Sequence, residues 1–308
     1  MTNGARRAMV TGATGFVGSH LVSHLNAEGW EVAALARPAA ARLLELNAAI
    51  SRVYVYNDTT EDAVDSIADF RPHVVFHLAS LFLATHNSET VEPLISSNIL
   101  LGTRVLEAMK AANITALINT GTSWQSYQGT PYSPVNLYAA TKQAFEDILA
   151  YYVESSGIRA ITLRLYDSYG PGDTRRKILR LLLDCLRTGV PIAMSPGEQV
   201  LDFVHVDDLC RAFSQAAVLV ERLQPGNTVY AVSGGQRCTL RQVLATLEQA
   251  VGRPIPVQFG ATPYRDREVM NPWVGPQLPG WEPRIELLQG FRQLASAELG
   301  LPHCDYTE

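Results

Sequence analysis

The sequence has few cysteines, no excess of positive charge and no long apolar run. Its four cysteines, at positions 185, 210, 238 and 304, are too scattered for a zinc site or a disulfide framework, and a reducing, cytoplasmic setting suits them. The net charge of −5 argues against a surface that binds nucleic acid or acidic lipid. No apolar run approaches the roughly 20 residues that span a bilayer, and the first expected strand leaves no room for a signal peptide. We therefore expect a cytoplasmic protein with no nucleic-acid or membrane partner and no bound metal.

Short β-rich segments alternate with amphipathic helical patterns as far as about residue 165. The expected strands are 8–11, 31–35, 52–56, 74–78, 116–119 and 159–165, and the expected helices lie near 16–28, 39–48, 60–69, 91–112 and 138–156. This alternation predicts an α/β fold, a Rossmann-type doubly wound parallel sheet with helices on both faces. Ligands of such sheets bind beyond the carboxyl ends of the strands, so functional residues are expected after each strand.

The pattern becomes mixed beyond about residue 170, where proline and glycine are commoner. We predict a dinucleotide-binding domain over residues 1–170 and a smaller, mixed α/β domain, mostly substrate-binding, over residues 171–308. A helix expected at 206–220 would return to the first domain.

A glycine-rich turn follows the first strand. Gly12 allows backbone angles that a side chain would forbid, Gly15 lets the chain approach a pyrophosphate, and Gly18 lets the new helix lie close to the strand. The free N–H groups of that helix would then face the phosphates. The cofactor contacts expected here are Gly12, Thr14, Gly15, Phe16, Val17 and Gly18.

The end of the second strand bears on the choice of cofactor. A dinucleotide fold that prefers NAD usually has Asp or Glu there, whereas this chain has Ala36 and then Arg37. A guanidinium would hold the 2′-phosphate that a carboxylate repels. We predict NADP(H), with NAD(H) as the alternative if Arg37 is a solvated loop residue.

Further cofactor contacts are expected after the third and fourth strands. Asn57 and Asp58 would lie near the adenine, and the small residues around Leu78, Ala79 and Ser80 would let the backbone approach the cofactor. Asn98, in the next helix, is also a candidate contact, although it is equally suited to tie down backbone or to cap a turn. His77 is expected to be a packed core residue.

Thr122, Tyr138 and Lys142 are the predicted catalytic residues. Tyr138 and Lys142 are one turn apart on a helix, so an ammonium there would stabilise tyrosinate and lower a phenol pKa that is ordinarily near ~10. Tyr138 would then exchange a proton near neutral pH. The Thr122 hydroxyl, at the tip of the fifth strand, would hydrogen-bond the same substrate oxygen.

These motifs resemble those of the extended short-chain dehydrogenases/reductases, in the nucleotide-sugar epimerase/dehydratase group. The matching segments are 11–18, 77–79, 98 with 102–103, 138–142, 163–164 with 169–172, 202–208 and 280–283. The resemblance implies that a nicotinamide cofactor exchanges hydride with a sugar carbon while Tyr138 handles the oxygen-bound proton. Tyr138 and Lys142 are also expected to contact the cofactor, with Lys142 bridging to the nicotinamide ribose. The resemblance also implies a nucleotide-sugar substrate and a homodimer through helices 91–112 and 138–156. Leu94, Leu101, Tyr151 and Tyr152 are compatible with that interface and are equally suited to the core.

Two departures from the family pattern narrow the expected reaction. The sugar 4,6-dehydratases carry an Asp-Glu pair directly after the catalytic threonine, where this chain has Ser123 and Trp124. The 4-epimerases usually have Asp at the end of the second strand, where this chain has Ala36 and Arg37. The expected activity is therefore NADPH-dependent reduction of the C4 keto group of a nucleotide-activated 4-keto-6-deoxyhexose, with Tyr138 as proton donor. An NAD-dependent 4-epimerase or dehydrogenase, and a non-catalytic NADP-binding sensor, are the alternatives.

The residues expected to contact substrate are Ser123, Trp124, Asp167, Arg176 and Arg265. Asp167 stands where the family often has Asn, and it would meet a sugar hydroxyl or a neighbouring cation. Arg176 belongs to the basic run Arg175, Arg176 and Lys177, which would pair with a nucleotide diphosphate or form a solvated helix start. Arg265, or alternatively Arg267, resembles an arginine that binds the substrate diphosphate in relatives.

Overall fold

The computed structural model describes residues 5–300. Its strands are β1 Arg7–Thr11, β2 Glu31–Ala36, β3 Arg52–Val55, β4 Val74–His77, β5 Ala116–Thr122, β6 Arg159–Leu165, β7 Asp167–Tyr169, β8 Ile192–Met194, β9 Val200–His205, β10 Gly226–Val232, β11 Arg237–Thr239 and β12 Val257–Phe259. Its α-helices are α1 Phe16–Ala27, α2 Pro38–Leu44, α3 Thr60–Phe70, α4 Ser88–Ile95, α5 Leu101–Ala111, α6 Leu137–Ser156, α7 Ile178–Thr188, α8 Val206–Val220, α9 Leu240–Val251 and α10 Leu287–Leu299.

Seven parallel strands form the main sheet, in the order β3-β2-β1-β4-β5-β6-β10. The first six have the strand order of a dinucleotide-binding fold. The predicted Rossmann-type α/β fold is therefore confirmed, and β10 adds a seventh strand from the later part of the chain.

Helices cover both faces of this sheet, because alternate residues of its buried strands point to opposite sides. Val10 of β1 packs in a core with α1 and α8, whereas its neighbour Met9 packs in a second core with α3, α5 and α6. Helix α8 thus packs on the main sheet beside α1. Within residues 5–300 no helix is both long and apolar enough to cross a membrane.

The remaining elements form the smaller, mixed part of the molecule. Strands β7, β9 and β11 make one small sheet, and β8 pairs with β12. Helices α7, α9 and α10 pack around a separate apolar core that includes Phe203 and Phe291. Since β7 begins two residues after β6 ends, this part meets the carboxyl edge of the main sheet.

Two differences from the predicted elements concern the candidate site. Strand β5 continues to Thr122 rather than ending at Asn119, because Thr120, Gly121 and Thr122 pair with β6. The helix expected over 91–112 is α4, a π-helical turn at Ser96–Leu100, and α5. The π turn contains Asn98.

Candidate active site

The turn after β1 brings backbone groups into very close contact. Gly12 has a φ of 75°, and a Cβ there would lie 2.6 Å from the Ala79 nitrogen. A Cβ at Gly18 would overlap the carbonyl oxygen of Gly12. Both positions therefore require glycine, as the spacing predicts.

The cleft above this turn fits a dinucleotide. Helix α1 begins directly after Gly15, and no side chain in residues 5–300 caps its first turn. Gly15, Phe16, Val17 and Gly18 line the cleft, so the free N–H groups of this turn suit a pyrophosphate. The Thr120 hydroxyl, in the same cleft, is buried and has no hydrogen-bond partner among the described residues. A ligand hydroxyl or amide would satisfy it.

Five predicted cofactor residues lie at the carboxyl ends of strands but outside the lining of this cleft. They are Thr14, Arg37, Asn57, Asp58 and Ala79. Arg37 is exposed and precedes α2, at the end of β2. Because β2 lies beside β1 and β3 lies beside β2, the ends of these strands share one edge of the sheet with the glycine turn. Ala79 instead helps to hold the turn, since its N–H donates to the Thr11 hydroxyl at 3.2 Å.

The three predicted catalytic residues line one cleft together with the glycine turn. Thr122 ends β5, and its hydroxyl oxygen accepts a hydrogen bond from the Trp124 N–H at 3.3 Å. Tyr138 and Lys142 lie on α6, whose first turn is capped by the Asn136 side chain. The Thr122 hydroxyl proton is thereby left to donate to a ligand oxygen.

Burial dominates the pKa of both titratable members of this group. It raises the pKa of Tyr138 to about 12, against the opposing effects of the Ser80 hydroxyl and the Arg175 charge. It lowers the pKa of Lys142 to about 8, although Glu146 opposes this. The predicted lowering of the Tyr138 pKa is therefore wrong: near neutral pH the phenol keeps its proton, and Lys142 is the group that titrates close to that range.

Asn98 ties down backbone behind the cleft. It is buried, and its side-chain oxygen accepts from the Leu81 N–H at 2.7 Å and from the Ser80 hydroxyl at 3.2 Å. Its side-chain nitrogen donates to the Thr141 hydroxyl at 2.9 Å. These partners join the loop after β4 to α6. The predicted direct contact with cofactor is not supported, because protein groups already occupy the side chain and Asn98 does not line the cleft.

His77 is the packed core residue that the sequence predicts. It is buried, its ring nitrogen Nδ1 lies 2.9 Å from the Thr11 hydroxyl, and its ring packs against Phe145. Burial, reinforced by the charge on Lys142, lowers the pKa of His77 to about 3, so the ring is neutral.

Aromatic side chains form one wall of the cleft. Ser123 and Trp124, which the sequence predicts to contact substrate, line the cleft, and Phe82 joins them from the loop after β4. The Phe82 ring centroid lies 5.7 Å from that of Trp124 and 5.0 Å from that of Tyr138. Sequence reasoning missed Phe82, which belongs to no motif; its position after a strand of the sheet was the available signal.

Charged side chains also line the cleft, and the Lys177 amine lies 5.2 Å from the centroid of the Phe82 ring. Asp167 lies there and meets a neighbouring cation, since the Lys177 amine is 3.5 Å from its carboxylate. Arg175 also lines the cleft, held by the Asp173 carboxylate at 2.7 Å and lying 4.5 Å above the Phe16 ring. Burial lowers the pKa of Lys177, and the Asp167 charge opposes that effect.

Arg176, the residue chosen from the sequence, is exposed and lies outside the cleft. Arg176 is the middle residue of a tight turn in which the Lys177 N–H donates to the Arg175 carbonyl at 2.7 Å, and its side chain stays outside the cleft that Arg175 and Lys177 line. Arg265 is also outside: its side chain is 65% exposed and faces Glu268. The other lining residues that the sequence did not single out are Thr120, Gly121, Leu165, Tyr166 and Ser168.

The chain resembles known proteins both in sequence and in fold. Residues 8–232 match the NAD dependent epimerase/dehydratase family. The chain is 27% identical to a CDP-abequose synthase of Salmonella typhimurium, over 93% of this chain and 96% of that protein. It is also 27% identical to a dTDP-6-deoxy-L-talose 4-dehydrogenase (NAD(P)(+)) of Kitasatospora kifunensis, over 96% of each. A solved structure of Thermus thermophilus UDP-glucose 4-epimerase with NAD has a TM-score of 0.80 and 26% identity, covering 96% of this chain and all of that one.

Proposed function

The chain belongs to the NAD dependent epimerase/dehydratase family of extended short-chain dehydrogenases/reductases, and we propose that it reduces the C4 keto group of a nucleotide-activated 4-keto-6-deoxyhexose with NADPH. The observation that carries the proposal is one cleft holding the Thr122 hydroxyl, the protonated Tyr138 phenol and the Lys142 amine. This set can hold a carbonyl oxygen and protonate it.

The proposed chemistry converts a ketone into an alcohol. Bound NADPH supplies the hydride for C4. Thr122 and Tyr138 donate hydrogen bonds to the ketone oxygen, and the Tyr138 phenol transfers its proton to that oxygen. Lys142, charged below about pH 8, stabilises the tyrosinate that remains.

The groups around Thr122 disfavour the other reactions of the family. Elimination of water needs an acid and a base beside the sugar, and Ser123 and Trp124 supply neither at neutral pH. A 4-epimerase must return hydride to the opposite face of the C4 carbonyl, so the sugar has to turn over inside the site. The residue at the end of β2 also counts against an epimerase, because Arg37 stands where the 4-epimerases usually have the carboxylate that suits a retained NAD.

The names of the relatives bear on the substrate. The Kitasatospora kifunensis relative is named as a 4-dehydrogenase of a dTDP-6-deoxyhexose, which is the reverse of a C4 ketone reduction. The Salmonella typhimurium relative is named for a CDP-sugar. Both names support a nucleotide-sugar substrate, and the first supports both the 6-deoxy sugar and chemistry at C4.

NADPH is the proposed cofactor because Arg37 is exposed at the end of β2, where a 2′-phosphate would meet a guanidinium. NAD is the alternative, since the solved Thermus thermophilus relative holds NAD.

The test mixes the protein with dTDP- or CDP-4-keto-6-deoxyglucose and, separately, NADPH or NADH, and follows absorbance of the reduced nicotinamide. Rapid loss with NADPH and little with NADH is expected. No loss with either, from protein that is purified with NAD bound, would instead favour the epimerase. NADPH binding without turnover of either sugar would favour the sensor.

A homodimer through α4, α5 and α6 is part of this proposal. The predicted contacts Leu94 and Tyr152 are core residues, whereas Tyr151 is 59% exposed. The exposed apolar residues on these helices are Val91, Ile95, Leu100 and Tyr151. A Leu100→Glu, Tyr151→Glu double variant is expected to halve the mass measured by light scattering, whereas Val190→Glu, at an exposed valine after α7, is expected to leave it unchanged.

A further inference from the structure

A buried polar network lies directly behind Thr122. Gln125, Glu146 and Arg164 are each less than a tenth exposed, and they come from the turn after β5, from α6 and from β6. We propose that these three are positioning residues that hold Thr122 in its reactive orientation. The assignment rests on the proposed function, because it matters only if the Thr122 hydroxyl contacts the reacting oxygen.

Gln125 connects the end of β5 to α6. Its side-chain oxygen accepts from the Thr122 N–H at 2.9 Å, and its side-chain nitrogen donates to the Glu146 carboxylate at 2.7 Å. An amide carries an acceptor and donors on one planar group, so it can satisfy both neighbours at once. A carboxylate in its place would repel Glu146, and an apolar side chain would leave the Thr122 N–H without its partner.

Arg164 compensates the buried charge of Glu146. The two side chains are paired at 3.0 Å, and the guanidinium also donates to the Ser126 hydroxyl at 3.2 Å. Removing one member would leave an unpaired buried charge, which is strongly unfavourable. Arg164 thereby fixes Glu146, and through it Gln125.

Gly121 makes room for the network. In the sheet it lies opposite Arg164, and a Cβ there would come within 2.9 Å of both the Arg164 Cγ and the Gln125 side-chain oxygen. The residue beside the reactive threonine is therefore small because the positioning side chains pass over it.

The network also reaches Lys142, which precedes Glu146 by one helical turn. The carboxylate of Glu146 raises the pKa of Lys142, against the effect of burial. The titratable groups around Lys142 are Tyr138 and Glu146 on its own helix, His77 from β4, and Asp167, Arg175 and Lys177 in the cleft. Among them, Glu146 supplies the charge that opposes burial.

Two substitutions of similar volume test the assignment. Gln125→Met removes the bond to Thr122 and keeps the Glu146–Arg164 pair, so kcat is expected to fall by about tenfold or more, with the NADPH Kd within twofold of wild type. Its pH profile should keep the wild-type alkaline limb. Glu146→Gln is expected to lower kcat and also to move that limb to lower pH, because Lys142 loses its nearby negative charge. If Gln125 and Glu146 had a merely structural role, the pH profiles of Gln125→Met and Glu146→Gln would not differ in the position of the alkaline limb.

Amide hydrogen exchange supplies a readout that needs no turnover. In the full-length protein with NADPH, the Thr122 N–H is expected to exchange about tenfold faster or more in Gln125→Met than in wild type, because its acceptor is gone. Gln258→Met, at an exposed glutamine of β12, is the matched control and should change neither exchange nor kcat.

The results separate this assignment from the proposed function. If the wild-type protein reduces no ketone, the proposed function is refuted. In that case the exchange rate of the Thr122 amide hydrogen still tests the positioning role of the network. Exchange and kcat within twofold of wild type in Gln125→Met would overturn the positioning role, as would an unmoved alkaline limb in Glu146→Gln. If either Gln125→Met or Glu146→Gln fails to fold, the other variant alone tests the positioning role.

Discussion

The Phe82 ring stands edge-on against the Tyr138 ring, with 5.0 Å between their centroids and 81° between their planes. Phe82 belongs to the loop after β4, and Tyr138 lies in the first turn of α6. This contact keeps water from one side of the phenol, and burial is the main cause of its raised pKa. Phe82 therefore contributes to the burial of the proposed acid, although it lies more than 50 residues away in the chain.

Tyr138→Phe is expected to lower kcat by about 10²–10⁴-fold, because it removes the proposed proton donor and keeps the ring. NADPH binding, followed by fluorescence titration, should change little. Tyr132→Phe, at a tyrosine that is 61% exposed, is the control and should behave as wild type. A Tyr138→Phe enzyme with more than a tenth of the wild-type turnover would contradict the assigned role.

The rate of ketone reduction is expected to fall as pH rises through about 8. Reduction needs a proton on Tyr138 and a charge on Lys142; the Tyr138 pKa is about 12 and the Lys142 pKa about 8, so Lys142 loses its proton first. The loss should approach tenfold per pH unit in a profile of kcat against pH.

Lys110→Ala, at an exposed lysine of α5, is the control for that profile and should leave the alkaline limb in place. A rate that stays constant to about pH 10 would show that the charge on Lys142 is not required.

Arg37→Ala is expected to raise the KM for NADPH by about 10- to 100-fold and to leave the KM for NADH nearly unchanged. The reason is the loss of a charge-assisted bond to the 2′-phosphate, worth roughly 1.5–3 kcal/mol. Arg253→Ala removes the same charge from an exposed loop after α9 and should affect neither cofactor. If Arg37→Ala raised the KM for NADPH and the KM for NADH equally, Arg37 would not contact the 2′-phosphate.

Gly18→Ala is expected to abolish NADPH binding and to lower the free energy of unfolding by about 1–3 kcal/mol, because its Cβ would overlap the Gly12 carbonyl and push α1 away from β1. Gly226→Ala is the matched control: the nearest atom to its Cβ is 3.8 Å away. Titration with NADPH and urea unfolding measure the two effects. Normal cofactor binding by Gly18→Ala would refute the tight turn as the pyrophosphate site.

Local patterns in the sequence were sufficient for the fold and for part of the site. Strand and helix alternation determined the parallel sheet, because each segment's periodicity reports which of its faces is buried. The glycines at 12, 15 and 18 determined the turn, and the spacing of Tyr138 and Lys142 placed both on one helix face. These are properties of adjacent residues, and tertiary packing did not change them.

Only the tertiary structure decided the pKa values in the site and which of several neighbouring side chains enter the cleft. The pKa of Tyr138 depends on burial to which Phe82 contributes, and Asn98 is occupied by partners from a distant loop and helix. Arg175 and Lys177 enter the cleft where Arg176 does not. A sequence shows which residues are adjacent, but solvent exposure and charge at a site depend on residues that folding brings together from distant parts of the chain.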